Sequence, residues 1–295
     1  MITAISFTIK SPFPRIEKKM KALVINLETA AERLVFQNLQ LSHLGIAFDR
    51  LPAVDKSADE VADLPYWDTW ERPLGRAERA CLLSHQQAWQ VVAAQDKPVL
   101  ILEDDAILSQ TLPALLVRLE GAAGIDFITL ETRGRKKLLS RVPANDLPLK
   151  RLYQDRTGAA AYILWPTGAR KLLAASETSC GLADAIICAC YSLKAFQAVP
   201  PLAFQSDRAS AEQVKVPLQT NSSITHGAVV CKNRTWHQRL RRLTAQARMG
   251  LRQLQVWNRA ERVLLSVRPE DFNHLNRLQA ITPTTTRSSH GDDAP

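Results

Sequence analysis

The sequence predicts an α/β fold in which a central, mostly parallel sheet is flanked by helices. Short apolar runs typical of strands covered on both faces recur along the chain, and longer segments with helical periodicity separate them. The hydrophobic content of 46% and the charged content of 23% are ordinary for a globular protein. A chain of 295 residues accommodates one catalytic domain with appendages.

The predicted elements alternate along the chain. A capping box at 29–32 is expected to open the first helix and Gly45 to close it. A basic loop is expected at 133–137, and Pro166 suits the first turn of a helix. Strands are predicted at 21–26, 46–51, 98–102, 126–131, 149–153, 159–165 and 196–199, and further helices at 75–95, 112–120, 166–175 and 182–193.

Two sequence features exclude common classes of protein. Neither common type of glycine-rich phosphate loop is found, which argues against P-loop kinases and dinucleotide-dependent oxidoreductases. The five cysteines include no C-x-x-C pair, which argues against a disulfide framework and favours a reducing compartment. Cys188 and Cys190 lack a second pair or a histidine cluster, so we interpret them as helix core.

The charge is concentrated near the C-terminus. Nine basic residues and one acidic residue lie within 232–262, so this segment carries eight of the nine net positive charges. Met20 opens the first orderly segment and is a candidate start of translation. We divide the chain into a flexible extension, a catalytic domain, a basic amphipathic helical arm and a disordered tail, at 1–19, 20–231, 232–268 and 269–295.

The arm has the pattern of a basic amphipathic helix that begins near Trp236. Such a helix suits an anionic membrane surface, where each basic residue contributes on the order of 1 kcal/mol. The alternative is a helix packed on the catalytic domain with its arginines in water. No nucleic-acid motif accompanies the charge, so a nucleic-acid partner is not predicted. The two faces consist of Leu240, Leu243, Ala247, Leu251 and Leu254, and of Arg241, Arg248, Arg252 and Arg259.

The most informative stretch is the apolar strand at 98–102, which ends in Glu103, Asp104 and Asp105. Carboxylates are rarely buried without a partner, and α/β sheets bind ligands outside the carboxyl ends of their strands. Strand alternation places Glu103 and Asp105 on one face and Asp104 on the other. Hard oxygen ligands favour Mg²⁺ or Mn²⁺. The triplet therefore predicts a divalent-cation site for a phosphorylated substrate, with a solvated turn that caps the next helix as the alternative.

Several short motifs lie in a fixed order along the chain. They are Val24-Ile25-Asn26-Leu27 with Arg33, Ala53-Val54-Asp55, Glu78 with Cys81-Leu82-Leu83-Ser84-His85, Leu102-Glu103-Asp104-Asp105, Leu130-Glu131-Thr132-Arg133, Gly158 with Ala161-Tyr162, and Ala183-Asp184. From about Lys21 to Asp207 the chain resembles glycosyltransferase family 25, the bacterial lipopolysaccharide or lipooligosaccharide glycosyltransferases. Ala80 replaces the glycine that usually precedes the cysteine in this family.

The resemblance implies a GT-A-like, Rossmann-type nucleotide-binding fold. It also implies inverting transfer of a hexose, commonly galactose, from a UDP-sugar to a lipid-linked or oligosaccharide acceptor. A divalent cation, Mn²⁺ or Mg²⁺, would offset the charge on the departing UDP. Asp105 is the expected direct ligand, and Glu103 or Asp104 is expected to contact metal-bound water or the donor's ribose.

An inverting transfer needs a base for the acceptor hydroxyl. Asp184, at the start of a predicted helix, and Glu131, at the end of a predicted strand, are the candidates. We prefer Asp184, whose charged form is favoured at a helix N-terminus. A simple helix cap is the alternative for this residue.

The resemblance also implies a donor site. Arg33 is a candidate partner of the diphosphate, with a solvated surface arginine as the alternative. Spacing alone favours a hydrogen-bonded core histidine for His85, and only the resemblance makes it a site candidate. His226 is a further candidate from the C-terminal side. The donor-binding residues are expected to be Asn26, Leu27, Arg33, Asp55, Ser84, His85, Glu103 and Asp104.

The sequence thus predicts a cytoplasmic, metal-dependent glycosyltransferase, peripheral on the inner face of the cytoplasmic membrane. No apolar run approaches the roughly 20 residues that cross a bilayer. Two alternatives remain open: a metal-dependent phosphoryl-transfer enzyme, and a non-catalytic binding protein that retains the fold.

Overall fold

The computed structural model describes residues 20–144, 146–218 and 235–279. The predictions for the extension at 1–19, for His226 and for the end of the tail at 280–295 lie outside these described residues. None of the described helices is both long enough and apolar enough to span a membrane.

A large mixed sheet forms the centre of the molecule. Its strands are β1 (Ala22–Asn26), β2 (Phe48–Pro52), β3 (Val99–Glu103), β5 (Phe127–Thr129), β6 (Lys136–Pro143), β7 (Leu149–Gln154), β8 (Ala161–Leu164), β9 (Ala195–Ala198) and β11 (Ala260–Leu264). Their order is β11-β6-β7-β9-β5-β8-β3-β1-β2. Strands β7, β8 and β11 run antiparallel to the other strands of this sheet. A two-stranded sheet of β4 (Ala106–Leu108) and β10 (Ala203–Gln205) lies beside it.

Helices cover both faces of the large sheet, as predicted. One core contains Leu41 of α1 and Leu115 of α3, and the other contains Trp89 of α2, Leu172 of α4 and Ile186 of α5. The helices are α1 (Ala31–His43), α2 (Arg76–Ala93), α3 (Leu112–Arg118), α4 (Pro166–Glu177), α5 (Ala183–Ala189), α6 (Trp236–Val256) and α7 (Leu275–Gln279).

Strand β3 is buried on both faces, which confirms the prediction from its apolar run. Leu100 and Leu102 enter the core beneath α1 and α3, while Ile101 enters the core beneath α2 and α4. All three side chains are fully buried. This alternation directs Glu103 toward α2 and Asp104 toward α1, the opposite faces that the sequence predicted.

The predicted start of the first helix is wrong and its predicted end is confirmed. The helix begins at Ala31 without a side-chain cap, because the chain makes a turn in which Ala30 donates to the Leu27 carbonyl and Thr29 falls within it. Gly45 follows the helix with a φ of 65°, the left-handed conformation that glycine adopts readily.

The structure also corrects the organisation of the C-terminal region. The predicted basic loop at 133–137 runs into β6, and β6 pairs with β11, so the sheet extends beyond the predicted domain boundary at residue 231. The tail is not disordered from residue 269. A 3₁₀ helix at Pro269–Phe272 and helix α7 bury Phe272 and Leu275 against Phe204 and neighbouring apolar residues.

Helix α6 packs on the body through its polar and basic face. The Arg252 Nε atom donates to the Tyr153 carbonyl at 3.4 Å, and Arg241 donates to the Asp68 carbonyl. The opposite, apolar face is exposed to solvent. The predicted alternative, a helix packed on the catalytic domain with its arginines in water, is confirmed in part: α6 packs on the body, and Arg241 and Arg248 are exposed while Arg252 is half-buried. The exposed apolar side chains on and beside the helix are Trp236, Leu240, Leu243, Leu251, Leu254 and Trp257.

Candidate active site

A cluster of carboxylates lies at the carboxyl ends of β3 and β5, on the face covered by α2 and α5. Glu103 is the last residue of β3, and Glu131 follows β5. Asp184 is the second residue of α5. Each of these carboxylates is largely buried. The structure thus brings together residues that are far apart in the sequence.

Glu103 ends a chain of four hydrogen-bonded side chains. The Trp89 indole Nε1 donates to the Tyr162 hydroxyl oxygen at 2.9 Å. The Tyr162 hydroxyl in turn donates a hydrogen bond to His85 Nδ1 at 2.9 Å. With Nδ1 accepting, His85 Nε2 carries the imidazole proton and donates it to Glu103 Oε1 at 3.1 Å. We assign this tautomer because it gives every donor in the chain an acceptor.

The second oxygen of Glu103 is also held. The Gln205 side-chain amide donates to Glu103 Oε2 at 3.1 Å. Burial raises the pKa of Tyr162 well above its ordinary value, so its hydroxyl keeps the proton that it donates to His85. These contacts fix the orientation of the Glu103 carboxylate. The family motif contained His85 and Tyr162, but no sequence pattern indicated Gln205 as part of the site.

Asp104 is held on the other side of the sheet by predicted donor-binding residues. Asn26 Nδ2 donates to Asp104 Oδ2 at 2.8 Å, and Arg33 Nη1 donates to Oδ1 at 3.1 Å. The backbone carbonyl of Asp104 accepts from Gln37. These contacts join the end of β3 to β1 and α1. They engage both carboxylate oxygens of Asp104, as His85 and Gln205 do for Glu103, so Asp104 is less available to a metal than Asp105.

Asp105 is buried with an unsatisfied oxygen. Its Oδ1 atom has no hydrogen-bond partner among the described residues. Burial, followed by the negative charges of Glu103 and Asp104, raises the pKa of Asp105 well above its usual range. A cation bound beside this oxygen would favour the ionised carboxylate and satisfy the buried atom. The oxygens of Asp105 and Glu103 therefore fit a hard divalent cation.

Cys81 was not predicted as a site residue, although it lies in the family motif. One ligand atom each from Cys81, His85 and Glu103 lie within 4.8 Å of one another. Burial, followed by the charge of Glu103, raises the pKa of the Cys81 thiol well above its usual value. In the absence of a metal the thiol therefore stays protonated, and a bound metal ion would favour its thiolate form, as it would favour the ionised form of Asp105.

Glu131 and Asp184 meet at Gly158. Burial raises the pKa of Glu131 to about 8, against the opposing charge of Lys137. Its Oε1 accepts from the Ala160 N–H at 2.8 Å, whereas Oε2 has no partner among the described residues. Burial also raises the pKa of Asp184, against hydrogen bonds from the N–H groups of Ala185 and Gly158.

Gly158 is required between these two carboxylates. It has a φ of 118°, and an added Cβ would lie 2.9 Å from Glu131 Oε1. Lys137, which the sequence placed in a loop, is buried nearby. Its ammonium group pairs with Asp155 at 2.7 Å and donates to the Glu131 carbonyl at 3.0 Å. This buried pair fixes the segment that carries Glu131.

Three predicted donor-binding residues have local roles in this structure. Asp55 is partly exposed and accepts from the Ser57 N–H at 2.8 Å in a tight turn. Ser84 Oγ accepts from the Val54 N–H at 2.9 Å, which joins α2 to the segment after β2. Leu27 is half-buried in the turn that follows β1. The structure does not bring these three side chains to the carboxylate cluster through any described contact.

The fold and site define an α/β protein with a cluster of buried and partly buried carboxylates at the carboxyl ends of its strands, where such sheets bind ligands. The family model of glycosyltransferase family 25 (LPS biosynthesis protein) matches residues 19–187, more than half of the chain. The chain belongs to this family, and it is a glycosyltransferase of lipopolysaccharide biosynthesis. The matched segment contains every predicted site residue from Asn26 to Asp184. No curated protein matches the chain.

Proposed function

We propose that this glycosyltransferase has a GT-A-like fold and moves a hexose from a UDP-sugar to a lipopolysaccharide or lipooligosaccharide acceptor, with inversion and with a divalent cation. Galactose is the first candidate because it is common in the family. The observation that carries the proposal is the buried Oδ1 of Asp105, which has no hydrogen-bond partner in the described part of the chain and whose carboxyl group is close enough to Glu103 to interact with its charge. A buried carboxylate oxygen is costly unless a cation or a donor meets it.

Asp105 and Glu103 would hold the cation, and their oxygens suit Mn²⁺ or Mg²⁺. When bound, the cation would offset the negative charge that develops on the departing diphosphate. Asp104, through Asn26 and Arg33, keeps the end of β3 in place. Arg33 stays a candidate for the diphosphate, since its guanidinium group lies at this edge of the sheet.

Asp184 is the base in this proposal. The acceptor oxygen attacks the anomeric carbon from the face opposite UDP, and its proton passes to Asp184. Burial raises the pKa of Glu131 to about 8 and also raises that of Asp184, and Asp184 is preferred because at neutral pH most of the Glu131 carboxyl groups keep their proton. The protonated Glu131 carboxyl can instead donate a hydrogen bond to a substrate oxygen.

The enzyme acts at an anionic membrane surface on the cytoplasmic side, where a lipid-linked acceptor would be found. The apolar face of α6 supports this location, because Leu243, Leu251 and Leu254 are 59%, 60% and 72% exposed. Arg239 and Arg248 are also exposed on the same helix. Apolar side chains with flanking cations are typical of helices that lie in a membrane interface.

A panel of UDP-sugars with Mn²⁺ tests the proposed activity through UDP release. We expect turnover with one donor, loss of turnover in Asp105→Ala, and full activity in the control Asp49→Ala. Asp49 is a largely exposed residue that pairs with Lys21 at the opposite end of β1. Absence of UDP release with every donor, or full activity of Asp105→Ala, would contradict the proposal. Phosphate release from a phosphomonoester would favour the phosphoryl-transfer alternative.

A further inference from the structure

A pocket opens beside the carboxylate cluster, between β7, α5 and α6. The pocket is lined by residues of β5, β7 and β9, which form one half of the large sheet. Strands β1, β2 and β3 form the other half. Its lining includes Thr129, Tyr153, Asp155, Gly158, Tyr191 and Arg252. No role in the chemistry described above requires this pocket.

Thr129 gives the pocket an unsatisfied polar group. The residue is 3% exposed, and its Oγ1 has no hydrogen-bond partner among the described residues. Threonine hydroxyls in strands usually find a partner when they are buried. A ligand hydroxyl in the pocket would supply the missing hydrogen bond.

The outer wall combines aromatic rings with a cation. The Arg252 guanidinium lies 5.7 Å from the ring centroid of Tyr153 and 5.4 Å from that of Tyr191. Gln253 donates to the Gln154 side chain at 2.9 Å, which also anchors α6 at this wall. Arg151 also lies over the Tyr153 ring at 5.9 Å, so guanidinium groups lie over both tyrosine rings, and their N–H groups beside the aromatic rings suit an uncharged, hydroxyl-rich ligand.

Gly158 connects this pocket to the proposed base. It lines the pocket, its N–H contacts the Asp184 carboxylate, and its α-carbon lies against Glu131. Thr129 is the last residue of β5 and Glu131 lies two residues beyond it, at a spacing of roughly 7 Å along an extended chain. A sugar ring bridges such a distance.

We propose that this pocket binds the terminal sugar of the glycan acceptor, with one ring hydroxyl on Thr129 Oγ1 and the rest of the ring beside Arg252 and Tyr191. The pocket's space of about 30 Å³ corresponds to about two water molecules, so it encloses the hydroxyl edge of one sugar and leaves the rest of the glycan outside. This inference rests on the proposed function. It adds that α6, the proposed membrane helix, forms part of the acceptor site.

Thr129→Val removes the hydroxyl and preserves the side-chain shape, and Thr178→Val, at the exposed end of α4, is its matched control. The assay uses UDP-galactose, Mn²⁺ and core oligosaccharide released from lipopolysaccharide. We expect Thr129→Val to raise the acceptor KM about tenfold, the effect of one lost hydrogen bond, with donor KM and acceptor-independent UDP release unchanged. Thr178→Val should leave all three quantities unchanged.

Tyr191→Ala is the second variant, and its melting temperature serves as a folding check. We expect weaker saturation-transfer NMR signals from the oligosaccharide with this variant, in an experiment that needs no turnover. An unchanged acceptor KM in Thr129→Val, or an equal rise in donor KM, would overturn the assignment. If the wild type releases UDP from no donor while the oligosaccharide still gives Thr129-dependent NMR signals, the proposed chemistry fails and the glycan pocket stands.

Discussion

The Nε2 atom of His85 lies 3.1 Å from the Oε1 atom of Glu103, and this hydrogen bond ties helix α2 to the carboxyl end of strand β3. The proton that His85 donates is fixed by Tyr162, which must give its own proton to Nδ1 because its oxygen already accepts from Trp89. Two aromatic residues deep in the core therefore set the orientation of a candidate metal ligand.

Substitution Tyr162→Phe removes the hydrogen bond to His85 Nδ1 with little change in the shape of the side chain. We expect kcat/KM to fall about 10-fold to 100-fold, the usual effect of losing a group that orients a metal ligand. The apparent affinity for Mn²⁺ should weaken in parallel. Tyr66→Phe, which loses a hydrogen bond to the Ser176 carbonyl, is the matched control. Its stability should fall by about 1 kcal/mol with activity retained, and equal activity of both variants would rule out the orienting role.

Substituting each candidate base by its amide shows which of the two accepts the proton. Asp184→Asn should lower kcat by about 10²-fold to 10⁴-fold, because no group is left to accept the acceptor proton. Glu131→Gln should cost much less, since an amide replaces a protonated carboxyl that donates rather than accepts. Steady-state kinetics at pH 7 compares the two variants. A larger loss in Glu131→Gln would reverse the assignment.

The pKa of Glu131 predicts how stability depends on pH. Its ordinary pKa is 4.5, and burial raises it to about 8 in the folded protein. Between these values the unfolded chain has released a proton that the folded protein retains. Glu131 therefore lowers the free energy of unfolding as pH rises through this window, by at most about 1.4 kcal/mol per pH unit.

Glu131→Gln lacks this titration. Its free energy of unfolding, relative to the wild type, should rise between about pH 4.5 and pH 8 and level off above pH 8. Urea denaturation across pH 5 to 9 in EDTA measures the difference. Glu177→Gln, at an exposed glutamate, should follow the wild type at each pH. A constant difference between Glu131→Gln and the wild type would show that Glu131 titrates normally.

The exposed leucines of α6 predict membrane binding. Leu243→Ser combined with Leu251→Ser should weaken co-sedimentation with vesicles of anionic lipid at least tenfold, because each leucine loses its transfer into the interface. The control combines Val117→Ser with Val142→Ser, which removes two exposed apolar side chains elsewhere. Binding should also fall with added salt. Equal vesicle binding by the two double variants would show that α6 is not the surface that contacts the membrane.

The sequence was sufficient for the parts of the fold that depend on local pattern. The apolar run of β3 predicted a buried strand, and strand alternation predicted that Glu103 and Asp104 point to opposite faces. The family motifs predicted that distant carboxylates meet in one site. The contacts of Gln205 and Lys137 were not predictable, because they depend on how separate strands are ordered in the sheets.

Edge strands and the C-terminal region were missed for a physical reason. β6 has many polar residues, and it becomes a strand by pairing with β7 and with β11, more than 100 residues away. Helical periodicity identified α6 but not its orientation. Arg252 packs inward because its guanidinium group stacks on Tyr153 and Tyr191, an interaction that a polar-outside rule does not anticipate.

Isothermal titration of UDP, with and without Mn²⁺, tests the central claim most directly. We expect Mn²⁺ to raise the affinity of the wild type for UDP at least tenfold and to leave the affinity of Asp105→Asn unchanged. Asp49→Asn should behave as the wild type. Equal UDP affinity with and without Mn²⁺, or an undiminished Mn²⁺ effect in Asp105→Asn, would contradict a cation site built on Asp105.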